Sequence, residues 1–120
     1  MQKNIFGKEL ECCCKDPMTG YLRDGYCHTE ESDFASHTVC AQVTDAFLSY
    51  SKALGNDMST PKPEYQFSGL KEGDKWCLCA SRWKQAYEDG VAPKLFLDAC
   101  NEQCLEIIDK EILLQYAVSK

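Results

Sequence analysis

Apolar residues spaced by three and four positions predict helices at two places in the chain, and a short alternating stretch precedes each one. In Lys75–Gly90, KWCLCASRWKQAYEDG, alternation predicts a strand with Cys77 and Cys79 on the same face. The apolar positions that follow have helical spacing, so Ser81 is expected to cap a helix that stops at Gly90. Two thiols therefore lie where a strand passes into a helix.

A second strand-to-helix unit occupies Ser36–Gly55. His37–Ala41 is the predicted strand, Thr44 is the predicted N-cap, and Gly55 ends the helix. Polar, non-periodic segments cluster around both strand-to-helix junctions. The pattern therefore predicts one pocket between the two junctions and their neighbouring loops.

Short apolar stretches predict further strands at Asn4–Leu10, Lys94–Asp98 and Leu105–Ile108, with a brief one at Tyr21–Arg23. A last helix is expected to begin after Asp109. These elements predict an α+β fold: a two-layer sandwich of a small mixed sheet of four or five short strands with about three helices. Residues 1–120 are expected to form a single domain.

The net charge of −6 disfavours a nucleic-acid partner, because such affinity depends on Lys and Arg neutralising phosphates. An anionic membrane surface is disfavoured for the same reason. No apolar run approaches the ~20 residues that a membrane-spanning helix needs. The partner expected is therefore a small molecule or anion, with a monomer favoured over an oligomer.

Nine cysteines are present, an odd number, and three of them are consecutive at Cys12, Cys13 and Cys14. That arrangement is a poor disulfide framework. The first fourteen residues contain no apolar signal-peptide core, so a cytoplasmic location with reduced thiols is expected.

Thiols and histidines supply the candidates for catalysis and metal binding. A nucleophilic pair would use Cys77 or Cys79 with His37 as the base. His37 and Cys40, three apart in a strand, are expected to face opposite sides. The metal-ligand candidates are Cys27, His37, Cys40, Cys77 and Cys79. Because CxC lacks the CxxC spacing of zinc modules, inert buried cysteines are favoured and no cofactor is predicted, with zinc as the alternative.

Polar residues outside the strands supply candidates for ligand binding. Arg82 falls in the first turn of a helix, where a cation opposes the dipole and calls for an anionic partner. That partner is either a bound carboxylate or phosphate, or an internal acidic side chain. The full candidate set is Asp16, Arg23, Asp24, Asn56, Asp57, Ser59, Thr60 and Arg82. Asp57 and Ser59 also fit simple Asx and Ser turns.

Three long motifs, DPMTGYLRDGYC, SHTVCAQVTDAFLSYSKALGNDMSTP and PEYQFSGLKEGDKWCLCASRW, resemble the uncharacterised bacterial family called domain of unknown function 2237. The resemblance implies a small bacterial protein with no assigned activity. The thiols that match the family pattern are Cys13, Cys27, Cys40, Cys77 and Cys79. Cys100-Asn101 stands where the resemblance implies Thr-His.

The leading hypothesis is a small cytoplasmic protein with a pocket for a ligand or anion. The alternatives are an enzyme of unknown reaction that depends on a thiol or histidine, and a zinc-stabilised structural module.

Overall fold

A three-stranded antiparallel sheet joins the two strand-to-helix units in the computed structural model, which describes residues 2–15, 19–33, 36–61, 64 and 69–118. The strands are β1 (His37–Gln42), β2 (Lys75–Cys79) and β3 (Lys94–Leu95), in the order β2-β1-β3. The helices are α1 (Asp45–Ala53), α2 (Ala80–Glu88) and α3 (Lys110–Gln115), with 3-10 turns at Leu97–Ala99 and Glu102–Glu106. The α+β class is confirmed, but the sheet in the described residues is antiparallel and smaller than the mixed sheet expected.

The first strand-to-helix unit forms as its sequence predicts. The Thr44 hydroxyl accepts a hydrogen bond from the Phe47 backbone N–H at 3.1 Å, which caps α1. Gly55 follows the C-cap with φ of 93°, a left-handed conformation that glycine adopts without steric cost.

The second unit begins its helix earlier than predicted. α2 starts at Ala80 with Cys79 as N-cap, and no side-chain hydrogen bond caps it. Ser81 therefore lies inside the first turn and is not the cap. The prediction placed the helix boundary at the nearest hydroxyl group. That placement was wrong, because the strand passes into the helix with no residue between them.

Three of the other predicted strands are replaced by turns or 3-10 helix. The Asn4 carboxamide oxygen accepts hydrogen bonds from the backbone N–H groups of Phe6 and Lys8, which folds Asn4–Leu10 into a tight loop. Residues 21–23 form a turn. Leu105–Ile108 does not form a strand, because the Asn101 side chain caps a 3-10 helix at Glu102–Glu106. Lys94–Asp98 keeps only the two residues of β3.

The pairing of β1 with β2 determines where the two junctions lie. His37 is opposite Cys79 at one end of the pair, and Gln42 is opposite Lys75 at the other. The β2–α2 junction and the β1–α1 junction are therefore separated by the length of the strands, roughly 13 Å for four steps of about 3.3 Å. Within the described residues, the two junctions therefore lie at opposite ends of the β1–β2 pair and not side by side.

One extra residue interrupts β1. The register shifts between His37 and Val39, so that Val39 is opposite Leu78 and Cys40 is opposite Cys77. Thr38 is the additional residue, as in a β-bulge. Directly opposed residues share a face, and Cys77 and Cys79 share a face by alternation. His37 and Cys40 therefore face the same side, contrary to the sequence expectation.

The core packs around Trp83, which is fully buried on α2. Its indole N–H donates to the Pro93 carbonyl oxygen at 2.9 Å, and its ring contacts Tyr87 and Tyr116 with centroids 5.8 and 5.1 Å away. Buried aromatic side chains stabilise a fold by removing a large apolar area from water. Among the described residues, no helix has the length and apolar character needed to cross a membrane.

Candidate functional site

A loop at residues 19–25 covers the outer edge of β2. Thr19 is fully buried, and its hydroxyl oxygen accepts the Cys77 backbone N–H at 2.8 Å. At the other end of the loop, the Gly25 carbonyl oxygen accepts the backbone N–H of Cys13 at 2.7 Å. The loop is thus fastened to the sheet on one side and to the N-terminal segment on the other.

Arg23 lies at the tip of this loop in a left-handed backbone conformation, with φ of 56°. Such values are uncommon outside glycine and asparagine, and they concentrate at functional positions. The Arg23 guanidinium carbon lies 5.4 Å from the centroid of the Trp76 ring, within the range of a cation–π contact. The ring therefore helps to fix the guanidinium beside β2.

His37 is oriented by a buried carboxylate. Its Nδ1 lies 2.7 Å from one Asp33 oxygen, and its backbone N–H donates to the other at 2.9 Å. Thr29 donates its hydroxyl to the same carboxylate at 2.9 Å. The Asp33 side chain is 1% exposed and that of His37 is 36% exposed. Because a carboxylate only accepts, Nδ1 carries the proton and Nε2 is available to a ligand.

The ionisation of Asp33 follows from the same contacts. Burial raises the pKa of this carboxyl group, but the hydrogen bonds from His37 and Thr29 outweigh burial and hold the pKa below its usual range. Asp33 is therefore ionised near neutral pH, as an acceptor for the imidazole N–H must be.

Arg23 and His37 line the same cavity, named here the Arg23–His37 pocket. It encloses about 230 Å³ and is lined by Gly20, Tyr21, Arg23, His37, Trp76 and Cys77. The Tyr21 ring stacks on the His37 imidazole with centroids 5.9 Å apart. A guanidinium, an imidazole nitrogen and two aromatic faces can together hold a small oxyanion.

A second group of side chains consists of cysteines and adjoins this pocket through Cys77. The Sγ atoms of Cys13, Cys27 and Cys77 lie within 4.8 Å of one another, and all three residues are buried. Cys13 forms a disulfide with Cys40, and Cys27 forms one with Cys77, with Cα separations of 5.6 and 5.3 Å. Four sulfur atoms from four separate segments therefore converge, and we call them the four-cysteine cluster. This structure therefore differs from the expectation that all nine thiols are reduced, because it pairs these four in two disulfides.

The cluster includes three of the five predicted metal-ligand candidates. Cys27, Cys40 and Cys77 belong to it, together with Cys13, which the metal prediction omitted. The other two candidates, His37 and Cys79, lie opposite each other on β1 and β2, near the Cys40–Cys77 pair. Cys79 belongs to neither disulfide. Four sulfur ligands are a donor set that binds Zn²⁺.

The two remaining buried thiols, Cys100 and Cys104, have their pKa values raised by burial, that of Cys104 to about 12. Because thiolate is the reactive form, both are inert at neutral pH.

Several other ligand-binding candidates make contacts away from the pocket. The Asp57 carboxylate accepts hydrogen bonds from the backbone N–H and hydroxyl of Ser59 and from the hydroxyl of Thr60. The Asn56 carbonyl oxygen accepts the Ser51 hydroxyl. These contacts match the simple turn that the sequence also allowed.

The charged candidates also differ in their positions. Arg82 is exposed on α2. Asp24 pairs with His28 at 2.6 Å and accepts the Tyr26 backbone N–H. Asp16 lies outside the described residues. Among the predicted ligand-binding and catalytic side chains that the structure describes, Arg23, His37 and Cys77 line the Arg23–His37 pocket.

Asp33 was missed by the sequence reasoning, although a signal for it exists. It precedes His37 by four residues, and acidic residues often orient a nearby imidazole. Trp76 and Tyr21 were also missed, because neither gives a local sign of which loop or strand it will contact.

Comparison with known proteins identifies a family but no function. The family model described as "Uncharacterized protein conserved in bacteria (DUF2237)" matches residues 3–117. No curated protein matches the chain.

Proposed function

The chain belongs to this uncharacterised bacterial family, so its function has to be inferred from its own side chains, and we propose that it binds a small oxyanion in the Arg23–His37 pocket. The ligand class is a small carboxylate or a phosphate. The observation that carries the proposal is that a guanidinium and an imidazole oriented by a buried carboxylate border one cavity.

The pocket has the chemical groups for such a ligand. The guanidinium of Arg23 can donate two parallel hydrogen bonds to a carboxylate or phosphate. Nε2 of His37 can accept a hydrogen bond from a ligand hydroxyl when the imidazole is neutral, and can donate one when it is protonated. A volume of about 230 Å³ favours a ligand smaller than a typical drug or nucleotide.

The proposal is tested by titrating the protein with inorganic phosphate and separately with glycolate, at constant ionic strength, by isothermal calorimetry. We expect saturable binding of at least one of them. Arg23→Gln removes a charge-assisted hydrogen bond worth about 1.5–3 kcal/mol, which is roughly a ten- to hundredfold loss of affinity.

Arg82→Gln is the matched control, since Arg23 and Arg82 are the two arginines of the chain. It should bind as the wild type does. A folded wild type with no saturable binding of either anion would contradict the proposal, and so would equal losses in the two variants.

A zinc-stabilised module is the second candidate function, and the converging sulfur atoms of Cys13, Cys27, Cys40 and Cys77 favour it. Elemental analysis of protein purified under reducing conditions tests this candidate. One zinc per chain, together with a lower melting temperature after chelation, would support it. Protein free of zinc with unchanged melting would exclude it.

A cytoplasmic location remains part of the proposal, and it bears on the state of these cysteines. The cytosol of most bacteria keeps thiols reduced. In that compartment, the thiolate form that binds metal is more relevant than the two disulfides. The proposed partner is a small molecule, not nucleic acid or a membrane, which agrees with the net charge of −6.

A further inference from the structure

The four-cysteine cluster takes its sulfur atoms from four separate parts of the chain. Cys40 lies on β1 and Cys77 on β2, directly opposite each other, whereas Cys13 comes from the N-terminal segment and Cys27 from the loop before β1. Their exposed fractions are 4% for Cys13, 1% for Cys77, and 0% for Cys27 and Cys40. Cysteines that act only as small hydrophobic residues have no need to lie together, so the convergence of these four indicates a further role.

We propose that, when these four cysteines are reduced, their thiolates bind one Zn²⁺, and that oxidation of the same sulfurs to the two disulfides releases the metal. The chain then holds either the zinc ion or the disulfides, never both. This inference rests on the zinc-module candidate and deepens it by assigning the ligands and the event that removes the ion.

The backbone geometry suits both states. In a tetrahedral site with Zn–S bonds of about 2.3 Å, neighbouring sulfur atoms are roughly 3.8 Å apart. The sulfur atoms of Cys13, Cys27 and Cys77 already lie within 4.8 Å of one another. Cys40 is bonded to Cys13, so its sulfur is adjacent to the same group. Opening the two S–S bonds therefore needs side-chain rotation more than backbone movement.

Hydrogen bonds hold the backbone of the ligand residues in place. The Asn101 side-chain N–H donates to the Cys27 carbonyl oxygen at 3.0 Å, and Asn101 is 1% exposed. The Thr19 hydroxyl fixes the Cys77 N–H, and the Cys100 sulfur accepts the Cys40 N–H at 3.3 Å. Groups that orient ligands in this way raise the affinity of a metal site.

The redox step balances with a peroxide as the oxidant. One Zn(S-Cys)₄ centre of charge −2, two H₂O₂ and four protons give two disulfides, Zn²⁺ and four water molecules. The four thiolates lose four electrons in total, and each peroxide accepts two as its O–O bond breaks. A dithiol reverses the step: two dithiol molecules reduce both disulfides, and zinc binding releases four protons.

Because the four cysteines are at most 4% exposed, peroxide reaches their sulfur atoms through local opening of the fold. Release of zinc is therefore expected to be slower than oxidation of the exposed thiol of Cys12. This order separates a buried centre from zinc bound adventitiously by surface thiols.

The experiment starts from protein that is reduced with a phosphine under anaerobic conditions, loaded with Zn²⁺ and desalted. We expect one zinc per chain by mass spectrometry of the metal. Addition of hydrogen peroxide should release that zinc to a colorimetric chelator, in step with formation of the Cys13–Cys40 and Cys27–Cys77 disulfides in peptide maps.

Cys27→Ala and Cys104→Ala form a matched pair, since both thiols are fully buried and only Cys27 belongs to the cluster. Cys27→Ala should lose bound zinc on desalting, whereas Cys104→Ala should keep it. If Cys27→Ala does not fold, Co²⁺ is substituted for zinc in the wild type. Its visible and sulfur-to-metal absorption should then report four sulfur ligands.

The outcomes separate the two levels of the proposal. A reduced, folded wild type that binds no zinc would exclude the zinc module itself. Zinc that stays bound after both disulfides form, or a cobalt spectrum with mixed nitrogen and sulfur ligands, would overturn this inference and leave the module standing. Iron in place of zinc in the isolated protein would overturn the identity of the metal.

Discussion

The contribution of each disulfide to the stability of the oxidised, metal-free protein can be worked out from the sequence separations. Cys13–Cys40 spans 27 residues and Cys27–Cys77 spans 50. In the chain-entropy model, closing loops of these sizes stabilises the fold by about 3.6 and about 4.1 kcal/mol at 25 °C. These are upper values, because the two loops overlap over residues 27–40 and restrict one another.

The perturbation is the double substitution Cys13→Ala with Cys40→Ala, or Cys27→Ala with Cys77→Ala. Each also removes two buried sulfur atoms, a packing loss of about 1 kcal/mol apiece. The matched control is Cys100→Ala with Cys104→Ala, which removes two buried thiols outside the disulfides. The difference between a disulfide variant and this control isolates the cross-link and should approach 3–4 kcal/mol.

Urea denaturation of the oxidised protein in the presence of a chelator measures this difference. With an m-value of about 2 kcal/mol/M, the midpoint of each disulfide variant should lie roughly 1.5–2 M below that of the control. A loss that large is a substantial part of the 5–15 kcal/mol typical of small proteins, so a folded baseline must first be confirmed at zero urea. Midpoints equal to that of the control would refute the reasoning, because the cross-links would then add nothing beyond sulfur packing.

Two further predictions concern the Arg23–His37 pocket and the carboxylate that orients its imidazole. The pKa of Asp33 is lowered in the folded protein, so its contribution to stability is present above its unfolded-state pKa of about 3.9 and is lost as the pH falls through the folded-state value. Asp33→Asn should therefore shrink the difference in urea midpoint between pH 7 and pH 3, and an unchanged difference would contradict this assignment. Gly20→Ala should lower the melting temperature more than Gly73→Ala, because both glycines have left-handed φ but only at Gly20 would the added Cβ overlap a backbone atom, the Tyr26 carbonyl oxygen. It should also weaken anion binding by displacing Arg23, and equal melting temperatures for the two variants would argue against a rigid loop.

Local features of the fold could be predicted from the sequence because their causes are local. The Thr44 cap, the glycine stops at Gly55 and Gly90, and the start of α3 after Asp109 each depend on a few adjacent residues. The α+β class followed from the same elements. The strand predicted at Leu105–Ile108 was wrong because a short apolar run fits a strand or a helical turn equally well. The Asn101 cap favours the 3-10 helix that forms there.

The site was harder to predict because it depends on pairing between distant segments. Sequence reasoning identified Arg23, His37 and most of the cysteines as candidates, but not the residues that orient them. Asp33 and Trp76 gain their roles from how the chain folds back. The direction of the β1–β2 pairing, which separates the two junctions, cannot be read from either strand alone.

The extra residue in β1 determines which face of the strand is occupied by the side chains that precede it. Counting from Cys40, regular alternation would turn His37 away from Cys77 and Cys79, and the insertion of Thr38 reverses that outcome for every residue before it. If Thr38 instead took a regular place in the ladder, His37 would face away from Cys40, and the imidazole would leave the cavity that it shares with Arg23. The register of the strand, and not only the identity of its side chains, therefore determines whether the pocket exists.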